Sequence, residues 1–381
     1  MRDFYPVSEA LGILVCERPG EPPFGESPFL RELLHRGKKA GLFVFAFDPR
    51  TWIPHEKTVR GWTRDDKDRE WTSGRYGIPP LVYDRSWPET GEGRARFRQA
   101  VRKLEDARPF RYLNGKLPDK GRVYAVLNKD PELSRLLPPT EIYGGPASLA
   151  DWLKRCGGSA FLKPACGSQG RRVAACSRQA GGTVRVRGRL QDNRPFDLAF
   201  ADEKEALRRL HRWIGGRTYL MQPLLDLTGT GGEPCDIRVL VQKNGRGRWA
   251  VTGAAARSGN PGTVTANLHG GGTATPAEDL LAARHGPAAA SAMMKEIRDG
   301  CRLIVRRLEQ HYGHFFELGL DFGIDRTGGL WFLEANSKPG RHAMASVSRA
   351  AAEDAAARPI AYARYILLRP PGRVIHEFDH L

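Results

Sequence analysis

Residues 322–340 read FGIDRTGGLWFLEANSKPG, an aromatic-rich strand pair with a tight reversal at Asp325-Arg-Thr-Gly-Gly. Successive strand side chains point to opposite faces, which puts Trp331, Leu333 and Ala335 on one side and Phe332, Glu334 and Asn336 on the other. Asp321, in the preceding ELGLDFGID stretch, lies one strand upstream. The reversal therefore lets Asp321, Glu334 and Asn336 converge on a single sheet face. The flanking Leu320, Trp331 and Leu333 point to burial, and buried carboxylates require a compensating charge. Magnesium takes hard oxygen donors, few of them from protein when phosphates supply the rest, and this set matches that demand. A polar sheet face open to water is the plainer alternative.

A second stretch, FLKPACGSQGRRV at 161–173, is a strand ending in Lys163, a loop of small residues (Gly167, Ser168, Gln169, Gly170), and another strand. Glycines let a loop backbone approach an anion and aim N–H groups at it, while the lysine supplies a point charge. An ordinary hairpin reads the same way, and the G-x-x-x-x-G-K-[ST] signature is missing, which excludes the P-loop class. CDIRVLV carries Arg238 beside Asp236, and AAARSG carries Arg257 one hairpin later. A guanidinium suits a transferring phosphoryl group or an acyl phosphate because it donates two parallel hydrogen bonds and keeps its charge. TANLHGGG adds Asn267 and a glycine run suited to close backbone approach.

The remaining pattern fits α/β and α+β architecture. LGILVC, SPFLRELLHRGKKAG and LFVFAF read as strand, helix and strand of a small parallel α/β domain over 1–110, with a turn-rich stretch before PPLVYDR. Short strands broken by glycine over 111–220 read as an antiparallel sheet, with a helix at about 203–214. The segment 221–345 holds a hairpin with an Asn-Gly tip and the final hairpin. Between them, Ile297, Cys301, Ile304, Val305 and Leu308 form one helical stripe. An Ala-rich helix and a basic tail fill 346–381. The 381 residues carry a formal charge of +17, which attracts anions at long range. The arginines lack the aromatic interleaving of a nucleic-acid stacking platform, so the charge reads as a solvated surface. Six cysteines without a C-x-x-C pair read as free thiols. The spacing of His311 and His314 suits a metal, but no further ligand lies nearby. No apolar run spans a bilayer and no signal peptide is evident, so a cytoplasmic protein is expected.

In order, LPDKGRVYAVL…LPPT, FLKPACGSQGRRV, YLMQPLLDL, CDIRVLVQKNGRGRWAVTG, AAARSG…TANLHGGG and GLDFGIDRTGGLWFLEANSKPG resemble the ATP-grasp superfamily, and within it the YheC/YheD-like group of endospore coat-associated proteins. The resemblance implies a small pre-ATP-grasp-like α/β domain followed by a two-lobed ATP-grasp fold. By it, Lys120 and Lys163 would contact ATP phosphates, with Lys129 competing for the first role, and Gly167, Ser168, Gln169 and Gly170 would cover them. Gln222, Pro223, Leu224 and Leu225 would form the hinge beside adenine, and Asp226 would face the ribose. Asp321, Glu334 and Asn336 would hold Mg²⁺; Arg238, Arg257 and Asn267 would face the γ-phosphate and an acceptor carboxylate. Many members carry an acid where this chain has Gln222, which leaves the choice of nucleotide open. The implied activity is ligation of a carboxylate to an amine of an amino acid, peptide or protein, an acidic polymer being a further partner. A catalytically silent coat protein retaining the fold is the alternative.

Overall fold

The computed structural model describes residues 9–64, 70–88, 91–167, 169–229, 231–266 and 271–368. Three sheets succeed one another along the chain. The first contains β1 (Ala10–Leu14), β2 (Phe43–Phe47), β3 (Thr58–Arg64), β4 (Trp71–Gly77), β5 (Leu81–Asp84) and β6 (Arg111–Tyr112) in the order β4-β3-β2-β1-β5-β6. Helices α1 (Ser27–Lys39) and α2 (Glu92–Ala107) accompany it. The strand at its centre pairs in parallel with β2 and β5, as the strand–helix–strand pattern predicts. The stretch read as turn-rich instead adds an antiparallel hairpin, β3 and β4. Gly61 and Gly74 inside these strands dilute the strand signal.

Two short helices, α3 (Lys120–Leu127) and α4 (Pro131–Ser134), lead into the second sheet. Its strands are β7 (Glu141–Ile142), β8 (Ser159–Pro164), β9 (Ala174–Arg178), β10 (Val184–Arg189), β11 (Pro195–Phe200) and β12 (Tyr219–Gln222), ordered β11-β10-β9-β8-β12-β7. All neighbours here are antiparallel. Alternation sends Ala160, Leu162, Ala174, Cys176, Val184 and Val186 into one core, which α5 (Pro146–Arg155) and α6 (Glu203–Ile214) cover. Phe161, Lys163, Val173 and Arg187 occupy the other face and line a cleft.

The third sheet is β13 (Cys235–Lys243), β14 (Trp249–Ser258), β15 (Thr273–Pro276), β16 (Glu317–Ile324) and β17 (Leu330–Asn336), in the order β15-β14-β13-β16-β17. Helix α7 (Ala277–His285) and the long α8 (Pro287–Tyr312) pack behind it. The predicted stripe Ile297, Cys301, Ile304, Val305 and Leu308 has no solvent exposure and meets Leu318, Leu320 and Phe322 of β16. Burying each such large aliphatic side chain contributes about 1.5–3 kcal/mol, so packing rather than helix propensity holds this helix in place. Val123 and Leu127 of α3 share the same core. The tail forms two helices rather than one, α9 (His342–Val347) and α10 (Arg349–Leu367).

The Lys-Pro-Gly turn after β17 is tied to the first sheet. Lys338 donates to Asp84 Oδ1 at 2.7 Å and to the Ser86 carbonyl at 2.9 Å. Asn114 accepts from the Phe316 and Glu317 amides and donates to the carbonyls of Glu317 and Ser337, which satisfies its whole amide. Buried Glu317 accepts from Tyr83 Oη at 2.6 Å and Gln242 Nε2 at 3.0 Å, and is also bonded by Arg341. These bonds fix the end of the strand that carries Glu334 and Asn336.

Candidate active site

The cleft between the second and third sheets has a volume of about 510 Å³. Strand register builds its floor. Arg238 faces Asp321 across β13 and β16, Asp321 faces Glu334 across β16 and β17, and Asp236 faces Arg257 across β13 and β14. Two arginines and three acids thus share four adjacent strands, with Asp321 and Glu334 side by side. Arg257 bonds Asp236 at 2.6 and 2.7 Å and reaches Asp321 at 3.1 Å, while Arg238 holds Asp321 through a paired contact. Gly319 permits this arrangement: a Cβ there would stand 2.9 Å from Pro339 Cβ and 3.4 Å from Arg238 Cδ.

The register shifts between Asp321 and Phe322, leaving Leu333 of β17 as an extra residue. The simple alternation of Phe332 with Glu334 is therefore corrected. The bulge turns Phe332 into the core, fully buried against Phe322, and leaves Glu334 on the face of Asp321. It also frees the Leu333 carbonyl, which accepts from Lys163 Nζ at 3.0 Å and Tyr124 Oη at 3.0 Å. Asn336 Nδ2 donates to Glu334 Oε1 at 3.1 Å.

Lys120 occupies the first position of α3, after Asp119 caps the helix by accepting from the Arg122 amide. A cation at the positive end of a helix is disfavoured. Glu334 Oε2 at 3.2 Å and the Gly167 carbonyl at 2.8 Å offset this. The chain at Gly167, just after β8, is thereby held against Lys120. Within the loop after β8, Gly167, Gln169 and Gly170 all have positive φ, which aims successive backbone groups in unusual directions. Ser168, like Asn267, lies outside the described residues. Lys163 is 7% exposed and sits 5.0 Å from the Tyr124 ring centroid.

Burial pulls the Lys163 ammonium down to about 7, Glu334 opposing. Burial would push the Glu334 carboxyl up, but Lys120, Lys163 and the Asn336 amide outweigh it and hold the group well below the usual carboxylate range. Burial also pushes the Asp236 carboxyl up against the pull of Arg257. Because Lys163 binds fewer protons folded than unfolded between about pH 7 and its ordinary value of 10.5, its contribution to stability rises with pH across that window. An incoming polyanion favours the protonated form. Phosphate-bearing ligands are accordingly expected to bind with uptake of up to about one proton near pH 8, and more weakly as pH climbs from 7 to 10. Calorimetry in buffers of different ionisation enthalpy reads this directly, and Lys163→Met is expected to abolish the uptake.

Gln222 ends β12, is buried, and donates to Thr140 Oγ1 at 2.8 Å. Pro223, Leu224 and Leu225 continue along the cleft wall with Phe161, Val173 and Leu333, an apolar slot beside the charged floor. Asp226 pairs with Arg326 at 2.8 Å at the mouth. Lys129 does not line the cleft, whereas Lys120 does. His314 Nε2 lies 3.2 Å from the Leu113 carbonyl, a structural contact. Asp236, Tyr124, Arg171, Arg187 and Arg326 belong to the site or its walls and were not singled out from the sequence as site residues. For Asp236 the signal was its place two residues before Arg238.

The donor chemistry fits a hard divalent ion: two carboxylates opposite each other, one of them strongly held in its ionised form, and the side-chain amide of Asn336, whose Nδ2 rests on Glu334 Oε1. Glu334 and Asn336 would hold such an ion with Asp321.

An ATP-grasp protein is what this fold and cleft define, and the match with known proteins agrees. Residues 109–366 match the YheC/D like ATP-grasp family, and the chain belongs to it. It is similar to the endospore coat-associated protein YheD of Bacillus subtilis (strain 168), 29% identical over 325 residues covering 84% of this chain and 70% of the relative. The endospore coat-associated protein YheC of the same organism is 25% identical over 351 residues, covering 90% and 93%. Among solved structures, the fold is shared with D-cycloserine synthetase DcsG (TM-score 0.55, 15% identity, covering 94% of this chain and 99% of that one). It is also shared with a RiPP-associated ATP-grasp ligase of Chryseobacterium gregarium in complex with ADP and a leader and core peptide (TM-score 0.50, 12% identity, covering 92% and 95%).

Proposed function

We propose that the protein is an ATP-dependent ligase that phosphorylates a carboxylate and transfers the acyl group to an amine. One observation carries this reading: the cleft gathers Lys120, Lys163, Asp321, Glu334 and Arg257 around an apolar slot at Gln222–Leu225. The base enters the slot, and the phosphates run to the two lysines beneath the loop Gly167–Gly170. Asp321, Glu334 and Asn336 would hold a magnesium ion, which would supply charge neutralisation to the phosphates. Arg257 and Arg238, with Asn267, orient the γ-phosphoryl group and the substrate carboxylate. A carboxylate oxygen attacks the γ-phosphorus, ADP leaves, and the amine then displaces phosphate to form an amide. Positioning and charge neutralisation suffice, and no protein nucleophile is required.

The acceptor is an amino acid, peptide or protein, and the charge of +17 favours an anionic one. Among the described residues no helix is long and apolar enough to cross a membrane; we place the activity in the mother-cell cytoplasm or at the spore coat. The test is ADP release from Mg-ATP across a panel of amino acids and acidic peptides. Stimulation by an amine together with a carboxylate supports ligation, and absence of Mg-ATP binding rejects it. The names of the two Bacillus relatives favour a second reading, a coat component without turnover. Full rescue of a deletion strain by Glu334→Ala would support that reading instead.

A further inference from the structure

On the face of the second sheet away from the cleft, the core beneath α6 is left open along one edge. A groove of about 230 Å³ runs there between α6 and β11, lined by Val186, Phe196, Leu198, Phe200, Leu210 and Trp213, and Arg209 is the one charged residue among the described residues that line it. Pockets for drug-sized ligands run to about 300–1,000 Å³, so this groove fits side chains rather than a cofactor. Leu198, 41% exposed, stands between half-buried Phe196 and Phe200 on one face of β11. β11 is also the last strand of its sheet. The Leu190 amide bonds the Arg194 carbonyl, so alternation turns the backbone groups of Leu198 toward β10 and those of Asp197 and Ala199 outward, where they bond no described residue. Natural sheets guard such an edge with proline, lysine, a bulge or an inward charge. Here Pro195 guards only the start of the strand, the register runs without a bulge, and Arg185 takes up the charge of Asp197 at 2.9 and 2.5 Å.

An open strand edge beside an apolar groove is suited to an extended segment, which adds a strand and places alternate side chains in the groove. The charge around the groove selects the segment. Arg209 is exposed and makes no hydrogen bond or ion pair with any described residue, Glu205 one turn earlier included, and exposed Arg212 follows it one turn later. A second copy of this chain, at +17, would bring like charge against them. We propose that β11 and α6 dock an extended acidic segment of a partner polypeptide, with an apolar side chain over Leu198 and acidic neighbours on the same face at Arg209 and Arg212. The site lies outside the cleft, and binding there needs neither nucleotide nor turnover.

The test is the fluorescence anisotropy of a labelled peptide, Glu-Glu-Val-Leu-Val-Glu-Glu, titrated with the full-length chain. Paired with β11, its leucine enters the groove, the glutamates two places to either side share that face, and the valine amides bond the edge. Saturable binding is expected, weakened about 10-fold or more by Arg209→Glu and by Leu198→Asp. Ala199→Pro should weaken it as well, since it removes an outward amide and leaves the bonds to β10 in place. Two altered peptides test the same contacts on the native chain, with no variant that has to fold: one with lysine for every glutamate and one N-methylated at both valines, each expected to bind about 10-fold more weakly or worse. No saturable binding to the native chain would overturn the proposal, as would full affinity of either altered peptide or native affinity in Leu198→Asp. Self-association of the native chain in sedimentation that Leu198→Asp abolishes would assign the groove to a second copy and overturn it too. Mg-ATP binding should be native in all three variants. A native chain that binds no Mg-ATP would reject the ligase reading alone, since the peptide is titrated without nucleotide.

Discussion

Glu334→Gln is expected to lower Mg-dependent ADP release on the order of 10³-fold, the scale for losing one preorganised charge-stabilising group in a phosphoryl-transfer site. The substitution keeps the shape and removes the charge. Asn336 and Lys120, now at 3.1 and 3.2 Å from its carboxylate oxygens, would meet a neutral amide, and Lys163 would lose the group that opposes its deprotonation. Two signatures separate this from misfolding. The magnesium dependence of nucleotide affinity should vanish while metal-free nucleotide still binds, and the descending limb of the affinity–pH profile should move toward acid. An unchanged magnesium dependence would remove Glu334 from the metal site.

Arg257→Ala is expected to act on both stability and turnover. Arg257 is 6% exposed and bonds Asp236 through two parallel contacts while reaching Asp321. Its removal leaves Asp236, with a side chain 13% exposed, beside a second carboxylate. Uncompensated buried charge costs about 3 kcal/mol or more, although Asp236, whose proton affinity burial already raises, can limit the loss by protonating. Turnover should fall by roughly 10³-fold or more, the range for a guanidinium that stabilises a transferring phosphoryl group. Arg257→Lys should recover little of it, since an ammonium cannot span both oxygens of Asp236. Denaturant midpoints and ADP release at saturating nucleotide check the two effects separately. Native turnover in Arg257→Ala would show that the arginine serves the fold alone.

The parts of this site that were legible in the sequence are those set by local pattern. Asp321, Glu334 and Asn336 fall together because an Asx turn closes the hairpin: Asp325 Oδ1 accepts from the amides of Thr327 and Gly329. Such a reversal can be read from Asp-Arg-Thr-Gly-Gly. The bulge at Leu333 could not be, because a bulge depends on what the partner strand presents, here the need to seat Phe332 against Phe322. Equally hidden was the salt-bridge lattice over β13, β14 and β16, which is a property of register between segments up to 85 residues apart. The lowered proton affinity of Lys163 arises only when the second sheet closes on Tyr124 and Leu333. The hairpin of β3 and β4 was missed for a different reason. Its strands carry glycines and its connection is a run of charges, so neither propensity nor alternation marked it.

The most direct measurement is a crystal structure of the chain soaked with magnesium and a non-hydrolysable ATP analogue. The expected result is one ion bound by oxygens of Asp321, Glu334 and Asn336, with the triphosphate between Lys120 and Lys163 and the base against Leu224. An ion held elsewhere, or a nucleotide lying outside the cleft, would contradict the assignment of these residues to metal and phosphate binding.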